Sequence, residues 1–181
     1  MASGLAVDLG SKALAWRLLG APTDGEGAER VLLAGWLRLA TSKNFGIVFG
    51  INFSEDLGLG AVAGGVLTVL LTIATCALIL YLFSGTGRSQ RWMHVACGLT
   101  LAGALGNLYD RLLFGYVRDF IQFALHVGGR ALWPYIFNMA DVYLVVGVGV
   151  LVFAYVFGGR RQAPADEPPS DPRSERGHRG A

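Results

Sequence analysis

The sequence predicts an all-α polytopic membrane protein: four transmembrane helices carrying a small, outward-facing, β-rich cradle. Three observations predict it. Hydrophobic residues make up 53% of the chain and charged residues only 15%, against about 25% charged in an average soluble domain, and the mean hydropathy is +0.48. Long apolar runs recur along the chain, of the length a bilayer requires. Between them lie two segments whose alternating and β-branched residues read as short strands rather than as disordered linkers. The net charge is only +2, and no Lys/Arg run is interleaved with aromatics, so nucleic acid is not an expected partner.

The first span is expected over about residues 2–20, within "MASGLAVDLGSKALAWRLLG". It carries Asp8, Lys12 and Arg17 and lacks the basic start and unbroken apolar core of a signal peptide. It therefore reads as a first membrane helix, short or truncated ahead of Asp8. Asp8 and Lys12 are spaced i, i+4 and can pair on one face, which lowers the cost of either charge in an apolar setting. Residues 21–56 form the first outward segment, with short strands expected between Arg30 and Phe53. The second span, about 57–83, is uncharged from Leu57 to Phe83 and would be roughly 40 Å long as a helix. Its Gly60, Gly64, Thr68, Thr72 and Cys76 recur every four residues, a smooth stripe that lets a neighbouring helix approach.

A short basic turn, "GRSQR" (Gly87 to Arg91), leads into the third span at about 92–110, where Gly98, Ala102 and Gly106 repeat the same spacing. Residues 111–135 form the second outward segment. The last span, about 136–157, reads "IFNMADVYLVVGVGVLVFAYVF". The tail, 159–181, is polar and Pro-rich and is expected to be disordered and cytoplasmic. Arg88, Arg91, Arg160 and Arg161 mark the cytoplasmic side, which turns 21–56 and 111–135 outward. Cys76 and Cys97 lie in apolar runs without His or Cys at ligand spacing. They read as small hydrophobes, and neither a disulfide, a metal nor a cofactor is expected.

The polar residues gather at one membrane level. Asn107, Asp110 and Arg111 sit at i, i+3 and i+4 at the outer end of the third span. Asn138 and Asp141 sit at i, i+3 where the last span begins, and Asp119 lies in the connection between the two. Taken singly, each aspartate has a structural reading. Asp110 could pair with Arg111 to close a helix end, Asp119 could pair with Arg118 or Arg111, and Asp141 could simply suit a helix N-terminus. Taken together, Asp119 and Asp141 share a depth where two carboxylates cannot both ionise cheaply. Such a pair can do acid/base work on a water molecule. Composition and spacing leave an aspartic peptidase and a proton-coupled carrier both open.

The blocks carry a resemblance that separates them. "GNLYDRLLFGYVRDFI" (Gly106 to Ile121) resembles the G-N-x-x-D-R-x-x-x-G-x-V-x-D-F signature of the prolipoprotein signal peptidases, also called signal peptidase II. "FNMAD" (Phe137 to Asp141), "NFGIVFG" (Asn44 to Gly50) and "DLGSK" (Asp8 to Lys12) are similar to three further blocks of that family, in the same order. The resemblance covers roughly Asp8 to Gly158. It implies a bacterial inner-membrane aspartic endopeptidase, without metal or cofactor, that cuts lipoprotein precursors just before a diacylglyceryl-modified cysteine. It implies Asp119 and Asp141 as the catalytic pair, and Asn107, Arg111, Asn138 and Asn44 as residues that line the site and meet substrate. Asp8, Lys12 and Asp110 would be supporting residues. The partners implied are lipidated precursors and membrane lipid, and the antibiotic globomycin is an expected inhibitor. Val48 departs from the pattern, standing where the family carries a small residue. The alternatives are a divergent paralogue with altered substrate choice, an inactive paralogue binding lipoproteins, or a proton-coupled membrane carrier.

Overall fold

A computed structural model describes residues 1–22, 29–33, 36–46, 56–87 and 90–158. Val48, Arg88 and the tail 159–181 lie outside the described residues. Four helices are present among those described: α1 (Ala2–Leu19), α2 (Gly60–Ser84), α3 (Arg91–Phe114) and α4 (Met139–Gly158). They are accompanied by six strands: β1 (Glu29–Leu33), β2 (Leu37–Asn44), β3 (Val117–Phe123), β4 (His126–Val127), β5 (Arg130–Ala131) and β6 (Ile136–Phe137).

By length and apolarity, α2 and α4 qualify to cross a membrane. Their outer faces are unshielded by protein: Val62 is 83% exposed, Tyr81 74% and Val145 70%. Surfaces that apolar, on helices whose single charged residue, Asp141, lies in the first turn of α4, are suited to lipid rather than water. The polar groups of α2 are satisfied inside the helix, since the Thr68 and Thr72 hydroxyls donate to the carbonyls four residues back, of Gly64 and Thr68. α1 and α3 carry charges, but Asp8, Lys12 and Asp110 are fully buried against protein, while the exposed Arg17 and Arg91 stand at the helix ends.

α3 is the central helix and packs against α1, α2 and α4. Its seam with α2 is apolar: Cys76 and Ile79 meet Cys97, Leu101 and Ala104, with both cysteines free and buried. Its crossing with α4 is close because Gly103 has no side chain. A Cβ there would run into the Ala140 carbonyl and stand 2.8 Å from Leu144 Cγ. α3 continues to Phe114, beyond the expected end near 110, and stops where Gly115 takes φ 79° and returns its N–H to the Arg111 carbonyl. That left-handed turn suits glycine and throws the chain straight into β3.

The main sheet is antiparallel in the order β1-β2-β3-β6, with β4 and β5 a separate two-stranded ribbon. β2 lies on β3 with Ser42 opposite Asp119 and Asn44 opposite Val117. β6 then pairs with β3, Ile121 opposite Phe137, and runs directly into α4. The sheet thus fastens the end of α3 to the start of α4.

Candidate active site

The site forms where α4 begins. Asn138 caps the helix: its Oδ1 accepts the Asp141 N–H at 3.1 Å, and Asp141 Oδ2 accepts the Asn138 N–H at 3.0 Å. This is a reciprocal capping box, and it pins the Asp141 carboxylate to the helix end. With its oxygen so used, Asn138 has its side-chain amide protons to spare, and it is fully buried. Nδ2 donates to Asp119 Oδ1 at 2.6 Å and to Asn107 Oδ1 at 3.2 Å.

Asp119 arrives from β3. The antiparallel register puts Asn44 of β2 diagonal to it on the same face, and Asn44 Nδ2 donates to Asp119 Oδ2 at 2.9 Å. Asp141 Oδ1 accepts from Asn107 Nδ2 at 2.9 Å. Each of the four carboxylate oxygens of Asp119 and Asp141 therefore receives one amide hydrogen bond. Asp119 is only 1% exposed, whereas Asp141 is half-buried. Burial and the neighbouring Asp141 charge push the Asp119 carboxyl up to about 7, against the opposing pull of the Asn44 and Asn138 amides and of Lys12. Two carboxylates so held can share one proton near neutral pH, the arrangement that lets one act as acid while the other acts as base.

Beneath this pair lies a layer of buried charge. Lys12 Nζ stands 2.8 Å from Asp8 Oδ2, 3.4 Å from Asp110 Oδ2 and 2.9 Å from Asn107 Oδ1. Asp8 Oδ1 also accepts the Ala140 N–H at 2.9 Å, which ties α1 to the start of α4. The Asp8–Lys12 pairing expected from spacing is present.

The Asp110–Arg111 pairing is not. Asp110 binds Arg118 instead, accepting from its backbone N–H at 3.0 Å, Nε at 3.1 Å and Nη2 at 2.8 Å. Arg111 turns away and donates to the Gly46 carbonyl at 2.7 Å, holding the chain just after Asn44 against the helix. Nor does Asp119 pair with Arg118, because successive strand residues point to opposite faces.

All nine residues singled out from sequence thus belong to one connected region. Sequence reasoning missed Arg118 as the partner of Asp110, although it stands beside Asp119 in the same block. Gly106, expected in the small-residue stripe of the third span, has a specific neighbour: a Cβ there would strike the Asp8 carboxylate.

The sequence model of the signal peptidase (SPase) II family matches residues 1–157. The lipoprotein signal peptidase of Chlorobaculum tepidum is 36% identical over 134 residues, covering 70% of this chain and 76% of that one. That of Methylocella silvestris is 36% identical over 136 residues, covering 75% and 72%. Among solved structures, a bacterial membrane enzyme determined by the in meso method at 2.3 Å resolution is similar. It has a TM-score of 0.72 and 25% identity, over 92% of this chain and 91% of the other. With the family match running from α1 into α4, through every residue of the site just described, this chain belongs to the signal peptidase II family.

Proposed function

We propose that this chain is a membrane aspartic endopeptidase that removes signal peptides from lipoprotein precursors, cutting just before a diacylglyceryl-modified cysteine, with Asp119 and Asp141 as the reacting pair. The observation that carries the reading is Asn138. One residue caps α4 through Asp141 and donates to Asp119, so both carboxylates are set by the same short turn. The names borne by its relatives supply the substrate class.

In the proposed reaction a water molecule sits between the two carboxyl groups. The ionised one takes a proton from the water as its oxygen attacks the scissile carbonyl carbon, and the protonated one gives its proton to the carbonyl oxygen. The tetrahedral diol then collapses: the C–N bond breaks, the carbonyl re-forms, and the departing cysteine nitrogen takes up a proton, leaving the pair sharing one proton again. Asp141, the more open of the two, faces the substrate side. Asn44 and Arg111 border that side, and Arg111 brings a positive charge close to both aspartates.

In this reading all four helices cross the bacterial inner membrane, with α1 and α3 admitted because Asp8, Lys12 and Asp110 are paired inside the bundle and Arg17 and Arg91 stand in their end turns. The sheet and the pair of aspartates lie at the outer face, where a lipid-anchored precursor presents its cleavage site. The test is cleavage of a precursor with and without the diacylglyceryl group by the purified protein in lipid. Cleavage of the lipidated form alone, blocked by globomycin and reduced about 10²–10⁴-fold in Asp119→Asn and Asp141→Asn, is the expected result. Equal cleavage by the folded asparagine variants would overturn the assignment.

A further inference from the structure

The buried lysine below the reacting pair does more than neutralise its neighbours. Lys12 and Arg118 supply two positive charges to the two negative charges of Asp8 and Asp110, so the layer is balanced without reference to Asp119 or Asp141. Yet Lys12 Nζ spends one of its three protons on Asn107 Oδ1, at 2.9 Å. An ammonium can only donate. Asn107 must therefore turn its oxygen to Lys12, and its NH2 group is left facing Asp141 Oδ1, at 2.9 Å. The same Asn107 oxygen also accepts from Asn138 Nδ2, the donor that reaches Asp119. The amide serving Asp141 and the amide serving Asp119 thus meet at one oxygen, and Lys12 holds it. Asn138 has a second anchor in its helix cap, while the orientation of Asn107 depends on Lys12 and on Asn138 itself.

We infer that Lys12 is a positioning residue for the peptidase reaction: by fixing which way the Asn107 amide faces, it holds Asp141 in register with Asp119. The inference rests on those two aspartates being the reacting pair. Lys12 also contributes its charge. The groups facing Asp119 are Lys12 from α1, Asn107 and Arg111 from α3, Asn44 from β2, and Asn138 and Asp141 at the start of α4. Lys12 favours the ionised form of Asp119, so its removal moves the alkaline limb of the rate profile to higher pH.

Lys12→Met alone leaves the buried Asp8 carboxylate without its cation and is a poor probe, because misfolding would mask any effect on the reaction. The double variant D8N/K12M restores the charge balance, since Asp110 and Arg118 remain paired, and the side-chain amide oxygen left at position 8 can still accept from the Ala140 N–H. Its kcat is expected to fall by up to roughly 100-fold, the scale that misplacing a reacting group by a remote mutation can cost, with KM little changed and the alkaline limb raised. In an Asn107→Ala background the same double change is expected to cost no further kcat, because the route through Asn107 is already gone. A wild-type kcat and pH profile in the folded D8N/K12M protein would overturn the inference, as would a loss that is undiminished in the Asn107→Ala background. Asp119→Asn, measured alongside, separates the two claims. If it cleaves normally, the assignment of the pair fails. If it is inactive while D8N/K12M is normal, only the role of Lys12 fails.

Discussion

Replacing Asn138 by serine separates the two jobs this residue holds. Serine caps a helix about as well as asparagine, whereas alanine at a cap costs about 1 kcal/mol. Serine is too short, however, to span from the cap to Asp119, where Asn138 Nδ2 now donates at 2.6 Å. A hydrogen bond to a charged group is worth about 1.5–3 kcal/mol, and each 1.36 kcal/mol is about tenfold in rate. Asn138→Ser is therefore expected to lose about 10- to 150-fold in kcat while keeping the capping share of its stability. Asn138→Ala should lose the same activity and also melt about 2–4 °C lower, the shift that about 1 kcal/mol gives a chain of this size. The assay is single-turnover cleavage of a lipidated precursor, paired with thermal unfolding in the same detergent. An Asn138→Ser protein with wild-type kcat would refute the claim that donation to Asp119 matters. One that melts as low as Asn138→Ala would refute the capping assignment.

Other predictions follow from the same geometry. Because Asp119 is raised to about 7, the rate should fall about tenfold per pH unit above that point as the shared proton is lost, measured as kcat/KM across pH 5–9. Raised above its unfolded value, this carboxyl favours the folded state at low pH, and that contribution is lost as pH climbs from the ordinary 3.8 toward 7. Asp119→Asn should therefore gain thermal stability relative to wild type on going from pH 5 to pH 8. Gly103→Ala pushes a Cβ into the Ala140 backbone and Leu144 and should cost about 1–3 kcal/mol. Gly98→Ala, whose Cβ meets nothing within 4 Å, should be neutral or stabilising by up to about 1 kcal/mol in a helix interior; thermal unfolding distinguishes the two. Arg118→Leu leaves the buried Asp110 short of its main partner and should cost about 3–5 kcal/mol, seen as a loss of folded protein in detergent extracts.

The sequence alone determined the helical elements, because unbroken apolar runs such as Leu57 to Phe83 have few ways to satisfy their backbone in lipid. It determined the Asp8–Lys12 pair, which depends only on helical spacing, and the polar residues that the structure gathers into one region stood out in short blocks of an otherwise apolar chain. The start of the last helix was less legible: the span expected from about 136 opens with the strand Ile136–Phe137, and α4 begins at Met139, behind the Asn138–Asp141 cap. Tertiary structure decided who pairs with whom. Nothing in the spacing of Asp110 and Arg111 says that Asp110 will choose Arg118 across a glycine turn, leaving Arg111 for the Gly46 carbonyl. That choice follows from where Gly115 sends the chain and from strand alternation, which turns Arg118 and Asp119 to opposite faces. The meeting of α1 with α3, which brings Lys12 beneath Asn107, joins residues 95 positions apart in the chain. Such contacts are set by packing around glycines 103 and 106, and a one-dimensional pattern holds no record of which faces those glycines bring together.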